Sequence, residues 1–411
     1  MDGSLAGRDR WARFAAYAGF AIQGLCFASL VTRVPRVQEA HAMSDGALAV
    51  VLLLVPLVAG VGSVLAGFLF ARLGSAVVLR VAQPGVCVAV ALVGLTGGDD
   101  RALYVAVALF GLFVGAVDAA MNAQGVAVER RYGVSLLTGF YAVWSVAGIL
   151  GGLWTALANR LDLSLAVGFA VPAAVGVVFS LVTGPRLYGK AEEGHGPGAA
   201  ELRAAAVRVP WRPVLVVGAA MGVFYLADAA ISNYSTKFLE DELAASAAVA
   251  PLAYVAYQVT MVVSRGVADL AVRRYGGTRV VRAGGLVGLV GMCGLVAAPN
   301  AVSAILAVAV AGLGLSVVAP VAFSAAGRVD PTGLGVAVAR LNVFNYVGFV
   351  LGAAVVGAIA PVSAEHGLRL AFIVPAALVL VIVATARGFD PAPRSAAPAP
   401  APGGAVPQAP G

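Results

Sequence analysis

The chain has 411 residues, of which 61% are apolar and 11% charged, and its mean hydropathy is +0.93. Soluble domains carry about 25% charged residues, so this composition argues against a soluble enzyme; twelve membrane helices of about 20 residues each would use most of the length. The net charge of +7 invites a nucleic-acid reading, but the cations fall in short clusters between apolar runs, which excludes a continuous basic groove.

Apolar runs between charged or turn-forming residues predict helices over 13–32, 46–70, 76–97, 102–125, 136–158 and 163–184. A second set follows at 212–235, 246–268, 280–298, 301–326, 334–360 and 367–386. The first segment follows Arg8, Arg10 and Arg13, runs past 18 apolar residues and lacks a small-residue cleavage site, so it reads as a retained helix. Alternate loops divide Lys and Arg 20 against 6, with Arg340 left inside a span, and the richer side holds both termini. The positive-inside rule therefore predicts both termini in the cytoplasm.

The fold class expected is all-α integral membrane, with twelve transmembrane helices in two six-helix halves. The N-terminal half covers 13–184 after a cytoplasmic segment 1–12, and the C-terminal half covers 212–387. Between them, 185–211 reads as a cytoplasmic linker, and the Pro/Ala-rich stretch 388–411 as a disordered tail. His195 falls in the linker, while His41 and His366 fall in loops on the other side and read as solvated. Cys26, Cys87 and Cys293 lie within apolar runs without metal-ligand spacing and read as packing residues.

Two loops occupy equivalent places in the two halves: Gly67–Phe68–Leu69–Phe70–Ala71–Arg72–Leu73–Gly74, and Arg265–Gly266 through Asp269 to Arg273–Arg274–Tyr275–Gly276. Corresponding elements of this kind point to parallel repeats about an axis along the membrane normal. They resemble the signature loop of the major facilitator superfamily, which implies pseudo-two-fold symmetry and a gating role for Gly67, Arg72, Gly74, Asp269, Arg273 and Arg274. The first copy departs from the pattern, with Ala71 for the acid and Ser75 for the final base.

Asp118 to Arg131 with Gly139–Phe140–Tyr141–Ala142–Val143–Trp144–Ser145, Arg33–Val34–Pro35, Phe323 to Arg328 and Tyr346–Val347–Gly348–Phe349 resemble the YbjJ-like, fucose-permease-related branch of that superfamily over residues 13 to 387. Relative to that branch, Tyr141 stands for a usual His, Asn233 for an acid, and Arg340 and Asn345 for small residues. The resemblance thus implies a retuned pocket.

Charge within a span marks the candidate site, because an ionised carboxylate at the centre of a membrane helix costs about 2.5–3.5 kcal/mol. Gly111, Gly115, Asp118 and Asn122 share one helical face, so Asp118 reads either as a substrate or proton carboxylate or as a structural helix contact. Asp228, in a stripe with Tyr225, Ser232 and Ser235, is the preferred proton site, against a static partner role. Arg340 either snorkels to the interface or turns inward. Asn345, Tyr141 and Gln23 complete the candidate lining.

No phosphate-binding loop with Lys, HExxH or GxSxG elbow occurs in the sequence. The reading is therefore no enzyme, no cofactor and no metal, with a small-molecule substrate, protons as coupling ion and the lipid bilayer as partners. It predicts a monomeric secondary transporter of the bacterial inner membrane, exporting a small organic molecule by alternating access. A sugar or nutrient importer and a non-transporting receptor are the alternatives.

Overall fold

A computed structural model describes residues 3–133, 136–193, 199–330, 336–363 and 366–389. Twelve long helices carry the chain: α1 Gly3–Val31, α2 Asp45–Leu73, α3 Ser75–Gly94, α4 Asp100–Tyr132, α5 Leu137–Arg160, α6 Leu165–Thr183, α7 Trp211–Asp241, α8 Leu252–Tyr275, α9 Gly277–Ala297, α10 Ala301–Val329, α11 Val336–Ile359 and α12 Gly367–Thr385. A short helix, Val34–Ala40, follows α1, and a linker helix, Ala199–Arg208, precedes α7. No strand occurs among the described residues.

Helix starts follow capping chemistry. Ser44 accepts from Ala47 N–H, Asp99 from Arg101 and Ala102 N–H, and Ser164 from Val167 N–H, while Asn300 and Ser303 cap each other reciprocally before α10. Helix α4 stops at Gly133 in the left-handed conformation, with Arg130 and Arg131 in its last turn to face the negative dipole end. Helix α10 breaks at Ser316–Val317 because Pro320 has no N–H for the Ser316 carbonyl. The hydroxyls of Ser264 and Ser316 both donate to the Leu313 carbonyl beside that break.

The two halves repeat one packing scheme. In the first, α2 packs on α4, α1 on α5 and α6, and α3 on α4 and α6; in the second, α8 packs on α10, α7 on α11 and α12, and α9 on α10 and α12. The halves meet through α5 with α8 and α2 with α11, which are themselves equivalent pairs. A Cβ on Gly115 would lie 1.8 Å from the Ala59 carbonyl oxygen, so the glycine face read on α4 does bring two helices close. Apolar side chains such as Val64, Val81, Leu150, Val290 and Leu306 point outward, as lipid requires.

Eleven helices among the described residues are long and apolar enough to cross a membrane, and α8 is the exception. Tyr254, Tyr257, Gln258, Ser264 and Arg265 lower its hydropathy. Of these, Tyr254 and Arg265 lie against α5, where the halves meet.

Several boundaries are corrected. The N-terminal segment is no separate tail, because α1 already begins at Gly3: charge at Arg8 and Arg10 ends a hydropathy window without ending a helix. For the same reason α4 runs to Tyr132, α7 to Asp241 and α8 to Tyr275. Lys237 and Arg265, counted as loop cations, are therefore helical. His41 is buried rather than solvated, its ring nitrogens 2.9 Å from Asp100 Oδ1 and 2.8 Å from Thr96 Oγ1, whereas His366 is exposed. Cys26 and Cys87 meet with sulfurs 3.8 Å apart, and Cys293 is exposed on α9. His195, the tail from 390 and the Asp269 side chain lie outside the described residues.

Both signature loops turn on a glycine with positive φ: Gly74 at φ 82°, ψ 159° and Gly276 at φ 81°, ψ 157°. The segment after α6 lies over the first. Glu193 there accepts from the Ser75 and Ala76 N–H groups, the Ser75 hydroxyl and Gln124 Nε2. It thus supplies an acid at the α3 N-terminus that the loop, with alanine at 71, lacks. Arg8 holds the same segment through Glu192 and the Arg186 and Leu187 carbonyls, and Tyr188 donates to Asp9. In the second half, the turn after α12 takes the equivalent place, with Thr278 donating to the Ala386 carbonyl and Arg328 to that of Phe389.

Candidate functional site

Of the polar residues read from the sequence within spans, Gln23, Asp118, Asn122, Tyr141, Tyr225 and Asp228 come together near the seam between the halves. Asp118 on α4 accepts from the Tyr346 hydroxyl of α11 at 3.0 Å, a bond that crosses from one half to the other. Gln23 on α1 also hydrogen-bonds the Asp118 carboxylate, and accepts from Trp144 Nε1 at 3.1 Å. Asn122, one turn after Asp118, donates to the Asp118 carbonyl at 2.8 Å and accepts from the Tyr141 hydroxyl at 2.9 Å. The stripe on α4, with α1, α5 and α11, therefore forms one network.

Asp228 on α7 accepts from the Tyr257 hydroxyl of α8 at 2.8 Å. Tyr225, one turn before Asp228, lies within Coulombic reach of both Asp118 and Asp228. The two carboxylates, one from each half, therefore flank a common cleft. Phe27, Trp144 and Phe349 add an aromatic cluster drawn from both halves, with centroids 5.9 and 6.1 Å from Phe27. Asn345 is half-buried on α11, next to Tyr346 in sequence.

Arg340 is not brought to this cleft. Its guanidinium lies 4.0 Å over the Trp211 ring and donates to the Val209 and Ala206 carbonyls at 2.8 and 2.7 Å, tying α11 to the end of the linker helix. A cation near the end of a span finds orphan carbonyls of a neighbouring helix end more readily than a partner at mid-depth. Of the expected gating residues, Gly67, Arg72, Arg273 and Arg274 are exposed, Arg274 lies over Tyr275, and the Arg72 carbonyl accepts from Lys190.

Sequence reasoning missed two site residues. Arg265 on α8 reaches Ser145 Oγ of α5 at 3.4 Å and lies within Coulombic reach of Asp228, Tyr225 and Tyr257. Its helical register was the available signal: Tyr254, Gln258 and Arg265 recur at i, i+4 and i+11 on one face. Lys237, 4% exposed, pairs with Asp45 at 3.1 Å across the halves and with Asp241 within its own.

The seam is closed at one end. Beyond the cleft, on the side away from the termini, the Lys237–Asp45 pair, the Asn159 side chain donating to the Ala247 carbonyl and Gly357 packed on Ala49 join the halves. Toward the terminal side, Tyr141 and Tyr346 are each 39% exposed. The cleft thus opens toward the face that carries both termini.

Twin six-helix halves around a polar cleft, sheathed in outward-facing aliphatic side chains, define a polytopic membrane transport protein. The profile described as the Major Facilitator Superfamily matches residues 205–410, half of the chain. The chain belongs to the Major Facilitator Superfamily, whose members are transporters and not enzymes. It is 28% identical over 373 residues to an uncharacterized MFS-type transporter of Yersinia pestis, covering 90% of this chain and 93% of that one. The nucleoside transporter NupG shares the fold with a TM-score of 0.72 and 13% identity, over 93% of this chain and 98% of NupG. FucP in its outward conformation follows at TM-score 0.63 and 15% identity, over 92% of this chain and 98% of FucP. The superfamily part of the expected resemblance is thereby met.

Proposed function

We propose that the chain is a proton-coupled secondary transporter that exports a small organic molecule across the bacterial inner membrane by alternating access, as a monomer with both termini in the cytoplasm. The observation that carries this reading is the placement of one carboxylate from each half, Asp118 and Asp228, on a common cleft sealed at one end. A group that binds a proton or a substrate can then be exposed to one face at a time. On this assignment the cleft faces the cytoplasm, and the far-side contacts around Lys237 open in the opposite state. Asp228 is the coupling site, and Asp118 anchors substrate while holding Tyr346 of the other half.

Everted vesicles test the reading. Acidified vesicles carrying the wild-type chain are expected to release lumenal protons on addition of substrate, and Asp228→Asn is expected to abolish that release. Equal proton movement in both removes Asp228 as the coupling site, and a bound compound that moves neither protons nor itself returns the receptor reading.

A further inference from the structure

The arginines that serve structure in this chain share a pattern. Arg340 makes two bonds to carbonyls at 2.8 and 2.7 Å and stacks on Trp211. Arg369 makes two at 2.7 Å and pairs with Glu242, and Arg8 joins Glu192 to two carbonyls. Arg265 departs from it. A guanidinium has five N–H donors, and among the described residues Arg265 makes one hydrogen bond, a 3.4 Å contact with the neutral hydroxyl of Ser145. None of its guanidinium nitrogens lies within 4.0 Å of a carboxylate among the described residues. Arg33 also keeps unpaired buried nitrogens, but it lies over Phe169, outside the polar cleft.

A cation inside a membrane span costs about 2.5–3.5 kcal/mol, which one long bond to a hydroxyl and the more distant charge of Asp228 offset only in part. On the same face of α8, the buried Tyr254 hydroxyl and Gln258 side chain lie close enough to interact with each other but short of good hydrogen-bond geometry. Arg265 is thus left with bonding capacity at the seam with α5, beside a loosely held Tyr254–Gln258 pair.

We propose that Arg265 anchors a carboxylate group on the transported molecule, which makes the substrate a small organic acid. The proposal rests on reading the cleft as the substrate path. A planar carboxylate matches the guanidinium fork, whereas a doubly charged phosphate would face both Asp118 and Asp228. The Phe27–Trp144–Phe349 cluster offers ring faces to the body of the acid, and Tyr254 and Gln258 offer hydrogen bonds. Anchored by Arg265 of α8 next to Ser145 of α5, the acid would touch both halves, as a molecule that drives their rocking must.

The test is binding to the full-length protein in nanodiscs, read by thermal shift and calorimetry. The probes are 4-hydroxybenzoate against 4-hydroxybenzamide, glucuronate against glucose, and tyramine as a cationic control. Wild type is expected to bind at least one acid more tightly than its neutral partner, with Arg265→Gln weakening that acid tenfold or more, the neutral partner unchanged and Arg265→Lys recovering part of the loss. Equal binding of acid and neutral partners, preference for tyramine, failure of both acids to bind wild type at millimolar concentration, or an acid affinity untouched in Arg265→Gln overturns the proposal. Proton movement driven by neutral compounds alone would leave the transport reading standing while this anchor falls.

Discussion

The two halves share one packing scheme and one loop geometry yet treat their buried acids differently. In the first half, Asp118 is held by Gln23 and Asn122 from its own side and by Tyr346 from the other. In the second, Asp228 takes its bond from Tyr257 of the same half, with Arg265 in electrostatic reach. The scaffold repeats, while a few inward positions differ between the halves and give the two acids different partners. One acid is bonded across the halves by Tyr346, and the other takes its hydrogen bond from within its own half.

The largest test of the shared scaffold compares one glycine contact from each half. A methyl on Gly115 would meet the Ala59 backbone oxygen at 1.8 Å, while one on Gly312 would meet the Thr260 hydroxyl at 2.4 Å, a side chain that can turn aside, and the Tyr257 backbone oxygen only at 2.8 Å. Gly115→Ala is expected to cost about 3 kcal/mol and to abolish monodisperse protein on size exclusion, and Gly312→Ala about 1 kcal/mol with folded protein retained. Equal losses would show that the halves are packed with the same tolerance.

The acids give a smaller effect. Tyr346→Phe removes a bond between halves and is expected to shift the ratio of the two access states by about tenfold, the scale of one hydrogen bond to a charged group. Spin-label distances across the terminal face would read it. Tyr257→Phe is expected to leave that ratio in place and alter proton-coupled flux alone. A state shift from Tyr257→Phe as large as that from Tyr346→Phe would erase the distinction.

The smallest effect concerns the segment over the first signature loop. Partial burial pushes the Glu192 carboxyl up, but its bonds from Arg8 and the Gly189 N–H, with the charges of Arg8 and Arg131, hold it below the usual glutamate value. Stability from this contact is therefore complete above the ordinary glutamate value and lost as pH falls through the lower folded one. Screened by solvent, it amounts to a few tenths of a kcal/mol. Melting curves from pH 7 to 3 are expected to fall slightly more for wild type than for Glu192→Gln. In the second half, the bond from Arg328 at the equivalent place goes to the Phe389 backbone carbonyl, which does not titrate.

Hydropathy and charge patterning made the twelve helices, the repeat and the inward acids legible, because each depends on residues close in sequence. Long-range partners were not. Nothing near Ala71 announces that Glu193, more than a hundred residues on, fills the place of an acid, or that Arg340 turns to Val209. Averaged hydropathy also hid Arg265 and Lys237, since a charge near the end of an apolar run looks like loop until the helix is seen to continue past it. The same averaging left His41 as a surface residue when Asp100 and Thr96 enclose it.

The anchoring of the linker at both ends has a mechanical consequence. Glu193 is fastened to α3, and the linker helix from Ala199 is fastened to α11 through Arg340. Six peptide steps separate those two residues, which span at most about 20 Å whatever path they follow. Covalent geometry alone thus puts an upper bound on how far Glu193 and Ala199 can separate as the halves move.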